Sequence, residues 1–547
     1  MSFVLSVGDL LGVRVVRTWE FNSTFPLRSI IPIYLSTAMP LLLLKVLSSL
    51  CGYVVSWYML TVAVRLMVTV LSLITDYTVI HLATWIRGGR DVVSAGLVMA
   101  TSYVSLVYYS RTFSNTLESF LFASLLCFVV RKARKQNSDV PLAVIISALI
   151  VVGIFNRPTF FIYAMVPYLW WLFRDGLREV NVKAVYSVLT AVPVSVLLIL
   201  SDSIYFGKLD INNFTVADLN DMMAVLTRNI TVTPLNFVSY NTQSGSLAEH
   251  GIHPRFTHFA VNIPLLFSVL SVGFFYDIYC WFVTAVFRQW KLVSTYWRQL
   301  MLLICCITPV SLLSIFPHQE PRFLIPLLPI FAALYGHRIT TTRWQMILWI
   351  ITNIAGCLFY GSVHQAGVMP CLGHLQQTRS PTVDRQMIFW HTYTAPQHLL
   401  MLPRQSFDTR DARHTSLTSL EGKSVEDLIR HLIFVNSSRL GKPEVMVAAP
   451  SSEHHYLVCR AAEAGIRLDI TQSFWPHLSM EYPPKIDNIL CHVPSTSCHP
   501  NIDAAAAAAA DDDDDDDSND ADNFCNKTLI DRIMFLTSLN LYQVTFS

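Results

Sequence analysis

The sequence predicts an all-α polytopic membrane protein of roughly ten to twelve spans, followed by a polar, α/β-like C-terminal region. Three observations carry this expectation. Only 14% of the 547 residues are charged while 53% are hydrophobic, against about 25% charged in soluble domains, so a globule of this size could not be given a solvated surface. Some eleven apolar runs approach the ~17–25 residues that cross a bilayer. After residue 362 these runs stop, and the remaining chain is polar with short apolar segments such as Glu444–Ala449.

The runs fall near 30–50, 53–80, 92–109, 117–130, 140–155, 159–173, 184–201, 259–287, 299–316, 323–337 and 344–361. Basic residues in short loops mark the cytosolic side of a membrane protein. They cluster at Arg87/Arg90, Arg131–Lys135, Arg174/Arg178/Lys183, Arg288/Lys291/Arg298 and Arg338/Arg343. From residue 92 onward every second loop is basic, as alternating threading requires. The lumenal side then receives 110–118, 156–159, 202–258, 317–323 and the chain after 361. Sequons at Asn22, Asn213, Asn229, Asn436 and Asn526 avoid every basic loop, which fits glycosylation on that side. The expected organisation is a lumenal segment at 1–29, a multi-span domain at 30–361 with lumenal loop 202–258, and a lumenal region at 362–547. Within the last, residues 504–522 read as a disordered insertion, because seven adjacent aspartates repel one another.

Several function classes are excluded or disfavoured. A formal net charge of +1 offers no field for nucleic acid, and no nucleic-acid motif occurs. Cys371, Cys459, Cys491, Cys498 and Cys525 lie in the polar region and could form disulfides in a lumen. The pairs Cys491-His492 and Cys498-His499 match no common zinc spacing, so no metal is expected. A transporter would show internal repeats and broken helices at mid-membrane, and no repeat is visible. A non-catalytic scaffold is the other rival.

Polar motifs gather on the lumenal side. Arg111, Asn115 and Glu118 are spaced to share one helical face. Asp202 closes a span, His250, His253, Arg255 and His258 crowd one loop, and His318, Gln319, Glu320 and Arg322 sit between two apolar runs. Ionisable groups at membrane depth are costly and usually functional. Arg and His suit a phosphate, and Pro321 at the first turn of the next helix would aim free N–H groups at the same ligand. The plainer reading is that these charges neutralise one another and pin spans together.

His318-Gln-Glu-Pro-Arg-Phe-Leu324 resembles the signature of the endoplasmic-reticulum mannosyltransferases that use dolichyl phosphate mannose, a family of GT-C-type fold. Thr18–Ser29, Arg111–Glu118, Asp202–Gly207, Thr233–Phe237 and Leu247–Arg255 are similar to further blocks of that family, in the same order. The family resemblance continues weakly through Phe474–Ser479, and the Trp19-Glu-Phe21 block, Gly361–Gly367 and Trp390–Pro396 look most like its glycosylphosphatidylinositol (GPI) branch. Within that branch the fourth, α1,2-linked mannose is the first choice of reaction, ahead of the third mannose and of N-glycan precursors. The resemblance implies a lipid-linked donor, a GPI-precursor acceptor, surrounding membrane lipids and an endoplasmic-reticulum location, with no cofactor. It puts His318, Gln319 and Arg322 at the donor phosphate, oriented by Glu320, with Arg111 or Arg255 as further contacts. Asn115, Glu118, Asp202, His250 and His253 would hold sugar hydroxyls or brace the site. Family members carry a His-Pro-Asp-Glu block whose Asp is the expected base. None occurs in these 547 residues, so the base is expected upstream of Met1, in a chain that is truncated or inactive, with Glu20 and Asp9 as in-chain candidates.

Overall fold

The computed structural model describes residues 4–546 except 16, 132–138, 210–229, 243–252, 288–289, 380–382, 403–414, 438–442, 481 and 485–527. His250, three of the sequons (Asn213, Asn229 and Asn526) and the insertion at 504–522 lie outside the described residues. The chain divides into two compact units, Met1–Cys357 and Leu358–Ser547.

The first unit is helical. α1 (Val4–Leu11) and a 3-10 turn at Trp19–Phe21 precede α2 (Ile31–Cys51), α3 (Trp57–Arg87) and α4 (Val92–Thr101). α5 (Ser114–Val130), α6 (Asp139–Asn156), α7 (Phe160–Phe173), α8 (Leu177–Tyr205) and α9 (Thr233–Thr242) follow. The unit continues with α10 (Ile263–Phe267), α11 (Leu270–Val286), α12 (Trp290–Leu313) and α13 (Leu328–Thr341), and α14 (Arg343–Leu358) runs to its end. The ends obey local chemistry. Ser56 caps α3 by accepting the Met59 N–H at 3.2 Å, and Gly52 and Gly88 close α2 and α3 in the left-handed region that glycine tolerates.

Among the described residues, six helical segments are long and apolar enough to cross a membrane, and six shorter apolar helices of 10–17 residues take up the other apolar runs. The run at 259–287 is not one helix. A π-turn at His258–Asn262 leads into α10, and Ser268, with φ at +48°, breaks the chain before α11. α3, α8 and α14 keep Leu66, Leu73, Leu189, Leu197, Ile347 and Ile351 exposed, a surface suited to lipid because each helix satisfies its own backbone. α13 is the buried centre. Every residue from Leu328 to Gly336 is buried, and a Cβ at Gly336 would lie 3.0 Å from the Ala95 Cα, so α4 and α13 meet almost backbone to backbone.

The second unit is an α/β sandwich. Its sheet has the order β2-β1-β3-β5-β4, built from β1 (Arg385–Trp390), β2 (Ser416–Glu421), β3 (Glu444–Pro450), β4 (Ile466–Phe474) and β5 (Leu539–Phe546). β1 is parallel to β2 and β3, while β5 is antiparallel to β3 and β4. The apolar segment at 444–449 becomes the central β3. On one face α16 (Val425–Ser437) and α17 (His454–Glu463) bury Leu428, Leu432 and Leu457 against Ile388, Val447 and Tyr542. α15 (Val368–Gln377) precedes β1, and α18 (Leu529–Leu536) precedes β5. Cys459 is disulfide-bonded, whereas Cys371 is a buried free thiol.

Candidate functional site

Three arginine–carboxylate units form the polar heart of the first unit. The first lies ahead of α2, where Arg28 Nη2 donates to Glu20 Oε1 at 2.6 Å and Nη1 to the Asn156 carbonyl at 3.2 Å. Asn156 Nδ2 in turn donates to the Ser114 carbonyl at 3.0 Å, joining the α6 terminus to the start of α5.

The second arginine–carboxylate pair is made where the α6–α7 turn meets α5. Arg157 Nε lies 3.4 Å from Glu118 Oε2, with the two side chains 7% and 1% exposed. Arg157 Nη1 also donates to Ser114 Oγ at 3.2 Å and Asn115 Oδ1 at 3.3 Å. Thr159 Oγ1 donates to Glu118 Oε1 at 2.8 Å. Such a buried pair holds only when its remaining donors and lone pairs are satisfied, and here they are. Gly153 makes the turn possible: a Cβ there would lie 2.2 Å from Phe160 Cδ1. Gly153→Val should therefore displace the turn and lower both the thermal midpoint and turnover, read by a melt and by sugar transfer on the same preparation.

The third unit is the His318–Arg322 segment. Glu320 Oε1 accepts from Arg322 Nη2 at 2.8 Å and is 2.8 Å from His318 Nε2, and Arg322 Nε also pairs with Glu320 Oε2. Phe323 connects this segment to the Arg157–Glu118 pair, since the Arg157 guanidinium lies 5.2 Å over its ring and Tyr163 donates to its carbonyl.

The three units share one field. Burial lowers Arg157 to about 10, helped by Arg28 and Arg322 and opposed by Glu118 and Glu20. Burial would raise Glu20, but Arg28, with Arg157 and Arg322 beyond it, brings it below its ordinary value. Burial would likewise raise Glu320, yet His318 and Arg322 hold it down at about 2. A carboxyl lowered on folding from 4.5 to about 2 stabilises the folded state fully above pH 4.5, and loses that contribution as pH falls toward 2. Thermal midpoints should accordingly rise between about pH 3 and pH 5, and Glu320→Gln should flatten that rise.

Of the three arginines, Arg28 and Arg157 are buried and committed, whereas Arg322 is 42% exposed. Arg322 is thus the most open guanidinium of the three. Its neighbour Gln319, expected at the phosphate, is turned inward. The Gln319 amide donates to the carbonyls of Arg255, Ser314 and Phe316 and accepts from the His258 N–H. Arg255 is exposed and meets the segment through its backbone carbonyl rather than its side chain. His253 packs beside His318 at 5.9 Å between rings, and its Nδ1 accepts from the Gln319 N–H at 3.4 Å.

Arg111 does not share a face with Asn115 and Glu118. The helix starts only at Ser114, so Arg111 precedes it and lines a cavity with Arg28, Phe21, Ile33, Val68 and Leu71. Asn115 and Glu118 do share a face and are hydrogen-bonded at 3.4 Å. Asp202 is wholly buried and saturated: it accepts from Ser29 Oγ at 2.9 Å, the Ile30 N–H at 3.0 Å and Thr233 Oγ1 at 2.9 Å. Asp9 is held elsewhere, by the hydroxyls of Tyr34 and Tyr205 at 2.8 and 2.7 Å. Asn22 and Asn436 are exposed. Sequence reasoning passed over Arg28 and Arg157. The available signal was position, since both sit in polar segments assigned to the same side as the other motifs.

The family model of the Alg9-like mannosyltransferases matches residues 6–402. The chain is 34% identical over 426 residues to the human protein named GPI alpha-1,2-mannosyltransferase 4, covering 72% of this chain and 70% of that one. It is 28% identical over 593 residues to the Drosophila melanogaster protein named GPI mannosyltransferase 4, covering 89% and 83%. The crystal structure of ArnT from Cupriavidus metallidurans in the apo state aligns with a TM-score of 0.48 and 12% identity, over 87% of this chain and 91% of that one. With a family model spanning most of its length and a relative above 30% identity, the chain belongs to the Alg9-like mannosyltransferase family.

Proposed function

We propose that this membrane glycosyltransferase moves mannose from dolichyl phosphate mannose to a GPI-anchor precursor, adding the fourth, α1,2-linked mannose at the lumenal face of the endoplasmic reticulum. The observation that carries the reading is the half-exposed Arg322, fixed by Glu320 and flanked by His318. A sugar phosphate leaves already ionised, so the reaction needs a cation more than an acid. Arg322 supplies that charge to the donor phosphate with His318 beside it as a hydrogen-bonding partner, while Arg157 and Arg28 hold the surrounding frame. The acceptor hydroxyl attacks the anomeric carbon, the bond from that carbon to the phosphate oxygen breaks, and the hydroxyl proton passes to a carboxylate. Glu20 stands beside Arg28 and is partly open, whereas Glu320 is taken up in orienting Arg322, so Glu20 is the in-chain candidate for that role. The donor brings its own leaving group, and no cofactor is invoked.

Two further facts support the reading. The human relative is named a GPI alpha-1,2-mannosyltransferase and the fly relative a GPI mannosyltransferase, and the disulfide at Cys459 fits an oxidising lumen. The test is incorporation of labelled mannose by the purified chain, with dolichyl phosphate mannose as donor and lipid-linked precursors bearing two or three mannoses as acceptors. One added mannose on the trimannosyl precursor is expected. Transfer to the dimannosyl precursor alone, or to neither, would overturn the assignment.

A further inference from the structure

Within the second unit, β4 is antiparallel to β5 and β5 to β3, so β4 runs in the same direction as β1, β2 and β3. All four end at one edge of the sheet. Chain order then sends β2 and β3 to opposite sides of β1. In open α/β sheets the loops leaving such a divided position part and leave a crevice outside the strand ends, and ligands bind there.

Several loops meet at this edge. The segment after β1 carries His391, Thr392, Tyr393 and Gln397, and the segment after β4 carries Trp475 and His477. The segment ahead of α15 joins them: the Gln365 N–H donates to the Leu478 carbonyl at 3.1 Å, and the His364 ring lies 5.5 Å from that of Tyr393. Tyr482 stacks on His391 at 3.5 Å, and its carbonyl accepts from Ser452 Oγ, just past β3, at 3.0 Å.

This edge is not satisfied from within. Gln365 Oε1, His391 Nδ1, Thr392 Oγ1, Gln397 Oε1 and both ring nitrogens of His477 are buried without a hydrogen-bond partner. Thr392, Gln397, His391 and His477 are 3%, 7%, 8% and 1% exposed. Each such group costs about 1–3 kcal/mol, and folded proteins keep few of them. The unpaired set is uncharged, because burial lowers His391 and His477 to about 4. Two aromatic rings, Tyr393 and Trp475, are 49% and 56% exposed at the same edge.

A ligand that answers uncharged donors and acceptors beside open aromatic rings carries hydroxyls, which both donate and accept, and apolar ring faces that stack. We propose that this edge is a binding site for a neutral hexose or a short oligosaccharide of such units. The proposal is independent of the mannosyl-transfer reading and uses none of its residues.

The test is titration of the purified full-length chain in detergent with methyl α-mannopyranoside and with α1,2-mannobiose, followed by saturation-transfer NMR. Thr392→Val and Gln397→Met each remove an unpaired atom at nearly constant volume. Wild type should bind at least one probe saturably, each variant should weaken it about tenfold, and the thermal midpoint should hold or rise, since replacing an unpaired polar group by an apolar one relieves its penalty. Arg322→Ala should leave the affinity unchanged. Absence of saturable binding, equal affinity in the variants, or a loss caused by Arg322→Ala would overturn the proposal. So would lower affinity accompanied by a lower midpoint, which would mark a structural role, or displacement of the sugar by inorganic phosphate.

Discussion

Glu118→Ala should bring the membrane unit to the edge of unfolding, while Glu118→Ala combined with Arg157→Met should recover much of the loss. The single change strands a guanidinium that is 7% exposed, and removing one partner of a buried pair costs about 3–5 kcal/mol. That is a large share of the ~5–15 kcal/mol by which folded domains are stable. The double change removes both charges and leaves an apolar contact with Phe323, so its cost should fall well short of the sum of the single changes. The measurement is a double-mutant cycle on thermal midpoints in detergent. Additive losses would show that Glu118 and Arg157 do not stabilise one another.

Arg322→Ala should leave the fold intact and reduce turnover by about 10²–10³-fold, the usual consequence of deleting one preorganised donor to a developing charge. The side chain is 42% exposed, so its loss creates neither a cavity nor a buried orphan in the core. Arg322→Lys should restore only part of the rate, because an ammonium gives Glu320 and a phosphate a point charge without a planar fork. Glu320→Gln should act through Arg322, lowering the rate less than Arg322→Ala does. Rate and KM for labelled mannose transfer separate these outcomes. An Arg322→Ala protein with normal turnover would remove the phosphate assignment.

The sequence made legible what is local. The helices follow the apolar runs closely because an apolar run of bilayer length has few other folded states. His318, Glu320 and Arg322 interact across separations of two residues, and their contacts could be expected from the motif itself. Partners brought together by helix packing were not legible. Glu118 pairs with Arg157 rather than Arg111, because the chain breaks helical geometry before Ser114 and the α6–α7 turn then presses onto α5. Gln319 reads like a ligand contact in the motif, yet the carbonyls around it consume its amide. The break at Ser268 had no composition signal, since the residues on both sides are apolar.

The carboxylate of Asp202 has a consequence for how the protein is made. It holds Ser29, 173 residues earlier in the chain, together with Ile30 and Thr233. At about 5–20 residues per second, the ribosome reaches Asp202 about 9–35 s after it has made Ser29. Through that interval the stretch that carries Glu20 and Arg28 lacks the Asp202 latch, while α2 to α8 enter the bilayer. The Asp202 latch on Ser29 and Ile30 therefore closes long after those residues are made, and the arginine cluster is complete only once Arg322 has left the ribosome.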